Sequence, residues 1–413
     1  MVPLGTLAEF RNGVNYNKSN FGNGIKVIGV SDFQDYVTAS YDQLEQINPE
    51  GIVRKEHLLV NGDILFVRSN GNRDLIGRSL FVNGLRENVT HSAFSIRVRF
   101  TCSECCSRFY AYLFRSALVR QALSMFGGGT NISNLNQSIL EHLQVPLPAK
   151  PIQRRIASIL SAYDDLIENN TRRIKILEEM AQRIYREWFV HFRFPGHENV
   201  RMVESELGPI PEGWTICSLR ELSSFIGRGI SPKYDDSADG LVINQKCIRN
   251  HRLSIGLARK QSKRVPSGKV VLKGDVLINS TGVGTLGRVA QVHQELRNTT
   301  VDGHITIVRP KKHPGYVGEL AIELEPRFES IGVGSTGQTE LARERVSETI
   351  IVCPPDSLQS TFSGQITSFH QMIMSLIARN DNLRTTRNLL LPKLISGEIS
   401  VDIAEEAMAS AAS

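Results

Sequence analysis

Residues 151–194 read PIQRRIASILSAYDDLIENNTRRIKILEEMAQRIYREWFVHFRF, and their spacing decides the fold. Apolar side chains recur in 4–3 alternation at Ile152, Ile156, Ile159, Tyr163 and Leu166, then at Leu177, Met180 and Ile184. Leu160, Ile167, Ile174 and Trp188 flank that seam. The pattern predicts a long amphipathic helix with coiled-coil character. Pro151 suits its first turn, where a missing N–H costs nothing, and no Gly or Pro interrupts until Pro195. About 40 residues at a rise of 1.5 Å make a rod of roughly 60 Å. A small domain does not need that length, so the helix reads as a spacer.

Outward from it, residues 1–150 predict short strands (Lys26–Val30, Asp63–Val67, Phe94–Phe100) and one helix, Ser107–Met125, before a turn at Gly127–Gly129. Residues 195–212 are polar and rich in Pro and Gly, as in a linker. Strand-and-loop patterning returns over 213–355. A second helical pattern runs from Asp356, its cap, to about Leu391, with Gly364 inside and Pro392 and Gly397 closing it. The spacer segment as a whole spans 356–400, and the Ala-rich tail 401–413 is expected to fray.

The halves repeat one plan. NGDILFVRSN at 61–70 matches KGDVLINSTG at 273–282, GGTNISNL at 128–135 matches GSTGQTEL at 334–341, and LPAKPIQRRI at 147–156 parallels CPPDSLQSTF at 353–362. Carrying the last offset into the helices aligns Ile156, Tyr163, Asn170, Leu177 and Ile184 with Phe362, Phe369, Leu376, Leu383 and Leu390. Two continuous seams are most simply buried against each other, antiparallel if a two-fold axis relates the halves. Asn170 is the polar member of one seam. It either fixes register or sits at a solvated edge.

The 413 residues have room for two or three domains, with a net charge of +6 and a pI near 9.0 that fit a nucleic-acid partner. Six scattered cysteines and the lack of an apolar leader or an 18-residue apolar run point to a reducing cytoplasm. Catalytic motifs are missing. No Asp-x-Lys or Glu-x-Lys occurs for a metal-dependent nuclease core, and Pro354-Pro355 precedes Asp356 rather than closing an amino-methyltransferase turn. No Gly-Lys-Ser/Thr or His-Glu-x-x-His is present. Gly282–Gly287 spells G-x-G-x-x-G but leads into a β-like run, so a hairpin turn accounts for it better than a dinucleotide site. Cys102, Cys105 and Cys106 form one C-x-x-C where zinc needs two such pairs, and the histidines are dispersed.

From Gly240 to Gly274 there are nine basic residues and no acid: Lys246, Arg249, Arg252, Arg259, Lys260, Lys263, Arg264, Lys269 and Lys273. Such a run is either a solvated face or a DNA contact. As a DNA contact, its cations neutralise phosphates while Asn244 and Gln245 are placed to read base edges. The matching stretch Val30–Gly62 has Arg54 and Lys55 against six acids; its basic groups fall later, at Arg68, Arg73 and Arg78, with Arg97 and Arg99 beyond.

The chain resembles the specificity subunits of type I restriction–modification enzymes. The resemblance rests on GDILFVRSN and its repeat GDVLINSTG, QVPLPAKPIQRRIASILSAYDDLIENN, REWFVHFRFPG, LGPIPEGW and LLLPKLISGEI, spread across nearly the whole chain. It implies an α+β fold of two pseudo-repeated target-recognition domains, 1–150 and 213–355. Each is followed by a long helix, 151–194 and 356–400, and the two helices pair as an antiparallel coiled coil. It further implies a non-catalytic subunit that reads a bipartite, asymmetric site on double-stranded DNA and docks two methyltransferase subunits and, indirectly, restriction (translocase) subunits. S-adenosylmethionine, and ATP with Mg for restriction, belong to partner chains. A structural adaptor that reads no DNA and a self-sufficient DNA enzyme with an atypical site are the alternatives from other classes.

Overall fold

The computed structural model describes residues 1–33, 37–72, 75–126, 134–332 and 340–412, with the backbone alone for 124–126 and 407–412. Arg73, the turn at Gly127–Gly129 and most of the second repeat pair lie outside these residues. The chain divides into two compact units, Met1–Asn169 with Asn380–Ser413, and Asn170–Arg379. Both long helices therefore contribute to both units.

In the first unit a four-stranded antiparallel sheet is ordered Ala8–Asn12, Ser95–Phe100, Ile64–Val67, Ser79–Phe81. A second sheet is ordered Glu45–Ile47, Phe21–Ile28, Val89–His91, its last pair parallel. Ile64 and Phe66, on the alternate positions that face one side of a strand, enter the core with Phe109, Tyr110 and Phe114 of the helix Ser107–Arg115. The single helix expected over Ser107–Met125 is two, because Ser116 leaves helical geometry and turns its hydroxyl to the Leu113 carbonyl.

The second unit repeats the topology strand for strand. Ser223–Arg228, Ile305–Pro310, Val276–Asn279 and Val289–Gln291 form the larger sheet, and Arg259–Gln261, Gly240–Ile243 and Thr299–Val301 the smaller. Register makes the equivalence residue by residue: Ile28 lies opposite His91 as Ile243 lies opposite Val301, and Val67 opposite Ser95 as Asn279 opposite Ile305. Gly13 and Gly229 occupy matching places, where any Cβ would strike the carbonyls of His91 and Ser92, or of Val301 and Asp302. In both units the Asp of the GD repeat is buried and grips a strand arginine with both oxygens: Asp63 with Arg99 and Asp275 with Arg309. Within the stretch expected to be linker, Met202–Val203 pairs with Ile210–Pro211, and Ile210 joins Phe194 and Trp214 in the core.

The long helices are Lys150–Tyr185, ending in a wide π turn over Arg186–Val190, and Asp356–Ser396. Gln153 and Gln359, equivalent in the repeat, anchor their first turns by donating to the carbonyls of Pro148 and Pro354. In the first unit Asn380 donates to the Ile167 carbonyl and Arg387 pairs with Asp164, which also accepts from the Tyr112 hydroxyl. In the second, Ile174 clusters with Ile373 and Leu376, while Tyr185, Trp188 and Phe189 surround Phe362. Partner numbers rise as the first helix's numbers fall, so the pairing is antiparallel in each unit.

The seam itself is displaced by one residue from part of the expected pattern. Ile156, Tyr163 and Asn170 are buried and Leu177 and Ile184 half-buried, but their companions are Leu160, Ile167, Ile174 and Ala181. Ile152 and Met180 are both 43% exposed. On the second helix Phe362 and Leu376 are buried, and Phe369, Leu383 and Leu390 half-buried. Asn380 is buried there, so the polar seam position expected of the first helix alone occurs in both.

Pro392 does not end the second helix, which runs to Ser396 because Leu391 and Leu394 are buried on either side of the proline. The carbonyl that loses its donor belongs to exposed Asn388, where water can satisfy it. Nor does the tail fray. Val401–Ala412 is helical, Ala404 is buried, and Arg155 holds both Asp402 and Glu405. Arg155 keeps the Glu405 carboxyl below its usual range, so this contact stabilises docking above the ordinary carboxylate range and is lost as pH falls through the lowered value. Arg155→Ala is expected to speed amide exchange in 401–406 at neutral pH while leaving the sheets of the first unit protected. Wild type should show the same local change, after correction for intrinsic rates, only in acid or high salt.

Candidate nucleic-acid interface

Between Gly240 and Gly274 the chain wraps the smaller sheet of the second unit, and its cations divide by what holds them. Lys246, Arg249, Lys260 and Arg264 are exposed and make no side-chain bond among the described residues. Lys263 is exposed but donates to the Ser231 carbonyl at 2.9 Å, and half-buried Lys269 to Gly229 at 2.8 Å. Arg259 lies 3.5 Å from the centroid of Tyr234. Arg252 grips Glu178 of the first long helix with two bonds, 2.7 and 2.6 Å, so it fastens the unit together.

Asn244 and Gln245, expected at base edges, are committed inside the protein. Asn244 caps the turn after Ile243, accepting from the Lys246 amide and donating to the Leu257 carbonyl. Gln245 donates to the Thr281 carbonyl and, at 2.8 Å, to its hydroxyl, which also meets His304 Nδ1 at 2.9 Å. The G-x-G-x-x-G stretch that follows Thr281 is the turn between antiparallel neighbours Val276–Asn279 and Val289–Gln291. No strand-to-helix phosphate cradle forms there.

The same corner of the first unit is built differently. By register, Gly29–Ser31 stand where Asn244–Lys246 stand, Ser69 where Thr281 stands, and Phe94 where His304 stands. Val30, in the place of Gln245, has no side-chain amide to reach across. A cleft of about 560 Å³ opens instead, lined by Tyr16, Ser31, Glu45, Asn70, Ser92 and Phe94 among others. Phe94 is 59% exposed at its rim. Burial pushes up both the Tyr16 hydroxyl and the Asp32 carboxyl, the latter despite accepting from the Gly29 amide. The two corners thus share a backbone and differ in charge, basic in one and acidic in the other.

Arg68 and Arg78 are half-buried beside this cleft's strand. Arg97 and Arg99, counted from sequence with the basic groups of this half, serve the interior. Arg97 is 2% exposed and bonds Glu9 and the Glu56 carbonyl, and Arg99 is the partner of Asp63. Strand alternation hid this, because arginines two apart on one face mimic a surface pattern. His91, beside Arg97, is buried and held neutral, its pKa pushed down to about 3 by burial. Among the described residues no group of three or more His, Cys, Asp or Glu side chains is arranged to hold a metal ion. All six cysteines are unbridged. No described helix is long and apolar enough to cross a membrane.

Residues 1–179 match a family model described as the type I restriction modification DNA specificity domain. Over 310 residues the chain is 25% identical to the type I restriction enzyme MjaIX specificity subunit of Methanocaldococcus jannaschii, covering 72% of this chain and 70% of that one. A putative MjaX specificity subunit of the same organism is 24% identical over 403 residues, 96% and 92% of the two chains.

Over most of its length the chain is similar to type I specificity subunits.

The crystal structure of the type I restriction–modification S subunit from M. genitalium shares the fold of this chain, with a TM-score of 0.52 at 16% identity over 95% of both chains. Neither the adaptor reading nor the self-sufficient enzyme finds support in these relatives. What sequence alone missed is the division of labour at the corner. An Asn-Gln-Lys run looks uniformly suited to bases and phosphates. Only the fold shows that the first two brace the loop while the third is exposed.

Proposed function

We propose that this chain is a type I specificity subunit that reads a bipartite, asymmetric DNA site, each unit contributing one reader, and that catalysis lies on methyltransferase chains it docks. The observation that carries the proposal is the duplicated corner with opposite charge. One framework with two unlike surfaces suits two unlike half-sites. In the second unit Lys246, Arg249, Lys260 and Arg264 would neutralise phosphates, with Lys263 adding to them once it leaves Ser231. In the first, Arg68 and Arg78, and Arg73 beside them in sequence, are the candidate contacts. S-adenosylmethionine, and ATP with Mg where the system restricts, would be bound by the partner chains.

The test is methylation of random-sequence duplex DNA by the purified chain alone and with a candidate methyltransferase subunit. Sequence-selective methylation is expected from the mixture only. Activity from the chain alone, or unselective methylation by the mixture, would contradict the proposal. Each alanine at Lys246, Arg249, Lys260 or Arg264 that removes one phosphate contact is expected to lower the slope of log affinity against log salt by about 0.9, across all sequences. Arg252→Ala is the control. It should leave that slope unchanged and cost about 0.2–1 kcal/mol of stability, since the Arg252–Glu178 pair is part-exposed.

A further inference from the structure

The turn 282–284 of the second unit carries an apolar side chain where none is needed for folding. Val283 is 85% exposed, the greatest exposure of any non-terminal large apolar residue described. The turn beneath it is not loose. Gly282 and Gly284 hold φ of +103° and +68°, a region closed to most side chains. Gln245 bonds Thr281 from below, Asn279 donates to the Gln245 carbonyl, and the Leu286 and Thr285 amides return to the Gly282 carbonyl. Leu286 is buried, and Arg288 donates to the Gly284 carbonyl at 2.7 Å. The pinned tip thus presents one isopropyl group to solvent, with Arg288 bonded to its Gly284 and Lys246 next in sequence to the Gln245 that braces it. The matching tip of the first unit is Asn70-Gly71-Asn72.

We propose that Val283 is a specificity-determining residue that packs on the 5-methyl group of a thymine in the major groove. The inference rests on the DNA-reading function proposed above and names what one side chain of that surface reads. A projecting turn can enter a groove about 12 Å wide, and the cations Arg288 and Lys246 suit phosphates. The thymine methyl is the one apolar group on a base edge of that groove, and apolar side chains recognise it. Gln245, expected to read bases itself, becomes a positioning residue that holds the tip.

The test uses the full chain with its methyltransferase subunit. A random-sequence duplex library is methylated and the modified pool sequenced to give the consensus. The site is then rebuilt with deoxyuridine in place of each thymine in turn. In wild type, one such replacement is expected to lower methylation kcat/KM by about fourfold, the worth of one buried methyl-sized group. In Val283→Ala that penalty disappears, the preference for thymine at that position relaxes, and the other half-site keeps its letters. The unfolding midpoint stays unchanged, as for an exposed side chain. A penalty of equal size in wild type and Val283→Ala, or none at any position of a clear consensus, would overturn the proposal. So would Val283→Asp that blocks co-purification with the methyltransferase subunit yet keeps the consensus, since the tip would then be a protein contact. No consensus at all would overturn the DNA-reading function together with this inference.

Discussion

Asp275→Ala is expected to destabilise the second unit by about 3–5 kcal/mol, the cost of breaking a buried pair and leaving its partner uncompensated. Asp275 is 1% exposed. Its two oxygens take Arg309 Nε and Nη2, each at 2.8 Å, and one also accepts the Leu272 amide at 2.8 Å. Removing the carboxylate orphans that amide and leaves a guanidinium that is 18% exposed, otherwise bonded to the Val270 carbonyl. Asp63→Ala should do the same to the first unit, where Asp63 takes Arg99 at 2.7 Å through both oxygens and accepts the Val60 amide. Urea unfolding of each variant is the measurement. If the units read separate half-sites, each variant should weaken one half-site before the other. Asp275→Ala combined with Arg309→Met should recover part of the loss, because no unpaired charge then remains. A loss below 1 kcal/mol in both single variants would show that these pairs are incidental.

Phe362→Ala is the second large effect expected, about 3–5 kcal/mol. Phe362 is fully buried on the second long helix. Its ring lies 4.9 Å from Phe189, 5.8 Å from Tyr185 and Trp188, and 6.4 Å from Tyr316. The cavity would open where both helices meet the sheet-bearing body, with rings on several sides too stiff to collapse into it. Ile156 holds the equivalent position in the first unit, also at 0% exposure. Ile156→Ala should cost about 2–5 kcal/mol, and Phe362→Leu, closer in volume, much less. Chemical denaturation monitored by tryptophan fluorescence follows the Phe362 variants, since Trp188 and Trp214 both sit in the affected core, and circular dichroism follows Ile156→Ala.

The helices and the repeat were legible because periodicity and duplication survive without knowledge of contacts. The GD repeat was visible as a pattern, although its role was not, since the arginine that each Asp binds lies about 35 residues later on another strand. The seam was located to one side of its true line. Ile152 and Met180 satisfy a 4–3 count as well as Leu160 and Ala181 do, and hydrophobicity favours methionine over alanine. Close helix approach favours alanine. The last turns past Pro392 and the tail helix were misjudged for one reason. Propensity opposes them, while tertiary burial of Leu394 and Ala404 holds them. At the candidate interface the basic window was legible as composition. Which cations are exposed, which amides are braces, and which apolar tip projects depends on neighbours that sequence does not order.

The composition of the first unit has a consequence for how the protein is made. Its core includes Leu391, Leu394 and Ala404 as well as residues near the start of the chain. During synthesis, residues 170–379 emerge with everything their unit requires, whereas residues 1–169 must wait for residues 380–413 to leave the ribosome. A premature stop just after Arg379 would therefore spare the unit encoded nearest to it and cripple the one encoded first.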